Sequence, residues 1–151
     1  MNHYIIDGNN LIGKIKNLQD LQKKDKQGSR IELVKLLNRY FQRKKTILSL
    51  HLDGYPNEPL AISKGKIIYS KNLPSDNLIR DEIDTSKNTR LIILITSDRN
   101  LMNYGKVCSC TVIKSEDFFR SIENTVVNDD EEQKIKQLEK ERGEFEKLFG
   151  L

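Results

Sequence analysis

Leu91-Ile92-Ile93-Leu94-Ile95 is an unbroken apolar run that ends on Thr96-Ser97-Asp98. A strand of this kind buries both faces, which requires a sheet covered on both sides. Two other segments end in the same way. Tyr4-Ile5-Ile6 runs into Asp7-Gly8-Asn9-Asn10, and Thr46 to Leu52 runs into Asp53-Gly54. Ligands of open α/β sheets bind outside the carboxyl ends of the strands. The three acids Asp7, Asp53 and Asp98 are therefore predicted to stand at the working edge.

The segments between these strands read mostly as helices. Residues 8–28 form an irregular polar stretch, with Ile12, Ile15, Leu18 and Leu21 at a spacing that allows a helix inside it. Gly28-Ser29 reads as a stop and an N-cap. The next helix carries Ile31, Val34, Leu37, Tyr40 and Phe41 on one face. Lys66 to Ser70 is a short third strand, and Pro74-Ser75-Asp76-Asn77 opens a helix. A short helix is expected through Leu101 and Met102, then a strand from Lys106 to Ile113. A further helix begins at Ser115-Glu116-Asp117. Strands alternating with helices predict an α/β/α sandwich with a mainly parallel central sheet. Residues 1–127 are expected to form this domain. Residues 128–151 read as a charged, helical extension packed on the domain or on a partner.

The net charge of +4 conceals an asymmetry. Residues 129–151 hold eight acids and five bases, which leaves 14 acids against 21 bases on the rest, a balance of +7. A basic body points to a polyanion, nucleic acid first. No apolar run approaches the roughly 18 residues that span a bilayer, so no membrane partner is expected. Met1 leads straight into a strand without a basic n-region, which predicts a cytoplasmic protein. Cys108 and Cys110 lie two apart on the expected last strand, with no histidine nearby. Neither a disulfide nor a zinc site is expected from them.

Asp76, at the start of a helix after a strand, adds a fourth acid to the edge. Each of Asp53, Asp76 and Asp98 alone has an ordinary explanation as a turn residue, a first-turn acid or a cap. Their conjunction with Asp7 does not. Gathered carboxylates repel one another unless a proton or a cation compensates them. All-oxygen donors select hard cations, Mg²⁺ or Mn²⁺, which activate water and stabilise charge on a phosphodiester. Lys14, Lys16, Arg80 and Arg99 are the candidate clamps for an RNA backbone. His3 and His51 have no suitably placed nucleophile beside them, which disfavours a serine or cysteine hydrolase. An aspartyl phosphotransfer site is disfavoured as well, because Asn9 stands where a second acid is needed.

In this order, Asp7-Gly8-Asn9-Asn10, Asp53, Ser75-Asp76 and Thr96-Ser97-Asp98 resemble the NYN branch of the PIN-like nucleases, most closely its YacP-like ribonucleases. The resemblance covers roughly residues 3–123, and Glu144-Phe145-Glu146-Lys147-Leu148-Phe149 is similar to the family's C-terminus. It implies a PIN-like fold and a divalent-metal endoribonuclease acting on mRNA or ribosome-associated RNA, with the ribosome as a further partner. It maps Asp7, Asp76 and Asp98 to metal-binding acids, Asn10 to their polar companion and Asp53 to a further acid near the metal. The sequence departs from the family's fullest pattern at Asn77 and Asn100, where relatives carry acids. That thinning motivates a second expectation, a module of the same fold that binds RNA or a ribosome with little or no catalysis.

Overall fold

In a computed structural model of the chain, residues 1–125, 135, 137, 138, 140 and 142 are described. Five strands form one sheet: β1 (Asn2–Asp7), β2 (Thr46–Leu52), β3 (Gly65–Tyr69), β4 (Ile92–Ile95) and β5 (Thr111–Ile113). Their order is β3-β2-β1-β4-β5, and every pairing is parallel. The helices are α1 (Gly8–Lys14), α2 (Lys16–Lys24), α3 (Lys26–Phe41), α4 (Ser75–Thr85), α5 (Arg99–Val107) and α6 (residues 115–125). The expected α/β/α sandwich is what forms. Contacts divide the chain into Met1–Phe119 and Arg120–Leu151. Most of the expected C-terminal extension, residues 128–151, lies outside the described residues. Among the described residues, no helix is long and apolar enough to cross a membrane.

Strand alternation sorts the sheet's side chains between two cores. Ile5, Ile92 and Leu94 meet Ile79 and Ile83 of α4 and Leu101 of α5 on one face. On the other, Tyr4 meets Phe41 of α3 edge-on at 4.8 Å between ring centroids, with Tyr40 and Phe118 completing the cluster. The register sets Asp7 beside His51 and Ile6 beside Ile95. The ends of β1, β2 and β4 are thus level along one edge, so the residues that follow them share a surface.

Three local expectations need correction. Residues 8–24 are almost wholly helical instead of irregular. Gly8 is the first residue of α1. A Cβ there would lie 2.6 Å from the His51 carbonyl oxygen and 2.7 Å from Leu52 Cδ2, so only glycine lets α1 start against β2. Gly28-Ser29 is not a helix boundary. Asp25 caps α3 by accepting the Gly28 N–H at 2.9 Å, which carries both residues inside the helix. The last strand is confined to Thr111–Ile113, because α5 continues to Val107 and Ser109 adopts φ +69°. Cys108 and Cys110 therefore flank a turn; both are free thiols, one half-buried and one buried.

Candidate active site

Each acid reaches the carboxyl edge by a different local device. Asp7 is the last residue of β1 and the N-cap position of α1. It is half-buried, and its Oδ2 accepts the Thr96 hydroxyl at 3.0 Å. Burial pushes its carboxyl up to about 6, and the nearby Asp53 charge adds to that. The Thr96 hydroxyl, the Asn10 backbone and His51 pull it the other way without winning.

Asp53 is exposed, but both its backbone and its carboxylate are held. Its backbone N–H donates to Asn9 Oδ1 at 2.7 Å, and its carboxylate accepts the Ser75 hydroxyl. The turn is closed by Gly54, whose φ of +79° favours glycine. Arg30 of α3, only 3% exposed, donates from beneath to the carbonyls of Asp53 and Tyr55. Asp76 sits in the first turn of α4, where the helix dipole favours an acid. It lies 3.4 Å from Arg80 one turn on. Asp98 caps α5 by accepting the Leu101 N–H at 2.9 Å, and its own N–H donates to Thr96 Oγ1 at 3.1 Å.

These four acids line one cavity of about 610 Å³, together with Asn9, Asn10, Lys71 and Ser75 among others. Asn10 spends its side-chain carbonyl inside the protein, accepting the Ser97 N–H at 2.9 Å and the Ser115 hydroxyl at 2.7 Å. Its amide NH₂ is the group left over, with no hydrogen bond among the described residues. The four proposed clamps do not gather in this cavity. Arg80 is committed to Asp76 and to the face of Tyr104, 4.7 Å from its centroid. Lys14 and Lys16 are exposed on α1 and α2. Arg99 lines a neighbouring cavity.

The donor set suits a hard cation: carboxylate oxygens from four segments around a polar cavity, with one half-buried carboxyl, Asp7, whose ionisation is costly. Their spacing is more open than a ligand sphere, since no three His, Cys, Asp or Glu among the described residues are grouped closely enough to hold an ion. A cation there would have to draw the acids inward.

Some of the site was not visible beforehand. Thr96 and Ser75 stand within the motifs, but the sequence does not give their partners: Thr96 holds Asp7 and Ser75 holds Asp53, while Arg30, which supports the Asp53 turn, carries no pattern that marks it. Lys71 reaches the cavity from a loop at φ +59°. His51 is fully buried and bonds Glu82 of α4 at 2.9 Å, as a strand histidine facing a helix should.

The model of the YacP-like NYN domain family matches residues 4–148. Two crystal structures of Rae1 (YacP) from Bacillus subtilis are similar in fold. One is 18% identical with a TM-score of 0.72, over 97% of this chain and 86% of that one. The other, of a tryptophan-to-leucine variant, is 17% identical with a TM-score of 0.72, over 91% and 82%. No curated protein sequence matches the chain.

Proposed function

This chain belongs to the YacP-like NYN domain family, and on that premise we propose that it is a divalent-metal-dependent endoribonuclease working in the acidic cavity. The observation that carries the reading is the cavity itself. Four aspartates from four separate segments line it, on a body whose net charge, these acids included, is +7 over residues 1–128. An acidic pocket in a basic protein fits a polyanion held over a cation.

In this reading Asp7, Asp76 and Asp98 hold Mg²⁺ or Mn²⁺, with Asp53 beside them. The cation supplies Lewis acidity and offsets charge on the phosphodiester. The chain's own groups do the positioning. Thr96 fixes one oxygen of Asp7. Ser75 and Asn9 hold Asp53, and the α5 cap fixes Asp98. The free amide of Asn10 is a donor for a phosphate oxygen. The substrates proposed are mRNA or ribosome-associated RNA, with the ribosome as a partner, in the cytoplasm. These rest on the family resemblance.

A second reading, an RNA- or ribosome-binding module with little chemistry, is favoured by the open spacing of the carboxylates and by Asn77 and Asn100. A cleavage assay separates the two. The purified chain with labelled single-stranded RNA and millimolar Mn²⁺ should yield internal cuts that EDTA abolishes and that Asp76→Asn suppresses. RNA retained in EDTA and uncut at every Mn²⁺ concentration would favour the binding module.

A further inference from the structure

A second cavity of about 350 Å³ adjoins the acidic one. The consecutive residues Ser97-Asp98-Arg99 form the partition: Asp98 lines the acidic cavity, and its two neighbours line the second. The remaining lining residues are Met102, Asn103, Lys106 and Lys114. Arg99, Met102, Asn103 and Lys106 follow the i, i+3, i+4, i+7 pattern, so one face of α5 makes the wall. Lys114 comes from the link between β5 and α6.

The charge of this cavity is largely uncompensated. Arg99 and Lys106 make no ion pair among the described residues. Two acids stand beside it: Asp98 in the partition, and Glu116, which accepts the Ser97 hydroxyl at 2.5 Å and feels the charges of Lys14 and Lys114. Arg99 and Lys106 are about 10 Å apart along the helix axis at 1.5 Å per residue. That is a length of chain, more than a point site for one small anion.

We propose that this cavity holds the RNA backbone next to the phosphate being cut, with Arg99, Lys106 and Lys114 as its cationic walls. The inference rests on the RNA-cleavage reading above and gives the strand a direction of travel, over the Asp98 partition and along α5. Continuity with the acidic cavity is what selects a nucleic acid over an acidic peptide. A strand crossing the partition places successive phosphates first over the carboxylates and then among the cations. The acidic cavity offers a peptide carboxylate nothing comparable.

The test uses Lys106→Gln with Lys114→Gln, since both lysines are exposed and neither lines the acidic cavity; Lys114 opens α6 only through its backbone carbonyl, which accepts the Phe118 N–H at 2.9 Å and which the substitution keeps. Binding of a labelled single-stranded RNA is followed by fluorescence anisotropy in EDTA across a salt series. The double variant should bind about tenfold more weakly, and its salt slope should fall by roughly 1.4, which is 0.7 for each phosphate that is no longer neutralised. KM for cleavage should rise while kcat at saturation changes little. Lys23→Gln with Lys24→Gln removes the same charge from exposed positions of α2 and should leave affinity unchanged. Equal affinity and slope in the Lys106/Lys114 variant would overturn the proposal, as would an equal loss in the α2 control. Polyglutamate bound as tightly as RNA, and lost in the same variant, would overturn it in favour of an acidic peptide. Failure of the cleavage reading itself appears elsewhere, as undiminished cutting by variants of the acidic cavity.

Discussion

The side-chain carbonyl of Asn10 accepts the backbone N–H of Ser97 at 2.9 Å, joining the start of α1 to the end of β4 across 87 residues. The same oxygen takes the hydroxyl of Ser115, which is fully buried. Asn10 is thus a structural knot as well as a wall of the cavity. Asn10→Ala leaves two donors without an acceptor, at about 1–3 kcal/mol. Thermal melting should show that loss. Cleavage should fall at the same time, because the Ser97-Asp98 segment is no longer held. An unchanged melting temperature would mean that these bonds contribute nothing.

Asp7 carries a cost of a different kind. Burial raises its carboxyl from 3.8 to about 6, so the folded state binds this proton more tightly than the unfolded chain does. The resulting destabilisation is complete above pH 6, shrinks between 6 and 3.8, and is absent below 3.8. At 1.36 kcal/mol per unit it amounts to roughly 3 kcal/mol. Asp7→Asn keeps an acceptor for Thr96 and removes the charge. It should raise the melting temperature by several degrees at pH 7.5, with the gain vanishing near pH 4, while cleavage is lost. A variant less stable than wild type at pH 7.5 would contradict this account.

Glu82 shows the opposite sign. It accepts the Ser49 hydroxyl at 2.6 Å and bonds His51 at 2.9 Å. Burial pushes its carboxyl up, but these bonds and the charges of His51 and His3 outweigh it, and the net shift is downward. Its contribution is present above about 4.5 and fades as pH falls through its lower folded value. Glu82→Ala should cost about 2–4 kcal/mol at neutral pH, since it leaves the buried His51 Nε2 without a partner and the buried Ser49 hydroxyl with only His3 Nε2, at 2.8 Å. Denaturant unfolding at pH 7 and again near pH 3 measures the difference, which should be smaller at the lower pH.

The sheet was legible in the sequence because its central strands are apolar runs, and little but a doubly covered parallel sheet accommodates Leu91 to Ile95. The co-location of Asp7, Asp53, Asp76 and Asp98 was legible for the same reason, since parallel strands end together. The helix boundaries were less so. Gly8-Asn9-Asn10 and Gly28-Ser29 have turn-forming composition, yet tertiary contact at Gly8 and the Asp25 cap three residues upstream of Gly28 place both inside helices. The basic cavity was hidden because Arg99 was a clamp candidate on its own and Lys106 was expected on the last strand, whereas α5 runs on to Val107 and sets both on one face beside Lys114. The hydroxyls that hold the acids were hidden because the contacts are long-range, as with Thr96 and Asp7 across 89 residues.

Asp98 gives the most direct test, because its cap and its proposed role can be separated. Asparagine caps a helix as well as aspartate does, so Asp98→Asn keeps the bond to Leu101 N–H while removing the charge. Cleavage of a labelled single-stranded RNA in Mn²⁺ by wild type and Asp98→Asn, with melting curves for both, is the decisive measurement. The account predicts a rate lower by about 100-fold or more at an unchanged melting temperature. Wild-type cleavage by a folded Asp98→Asn protein would contradict it.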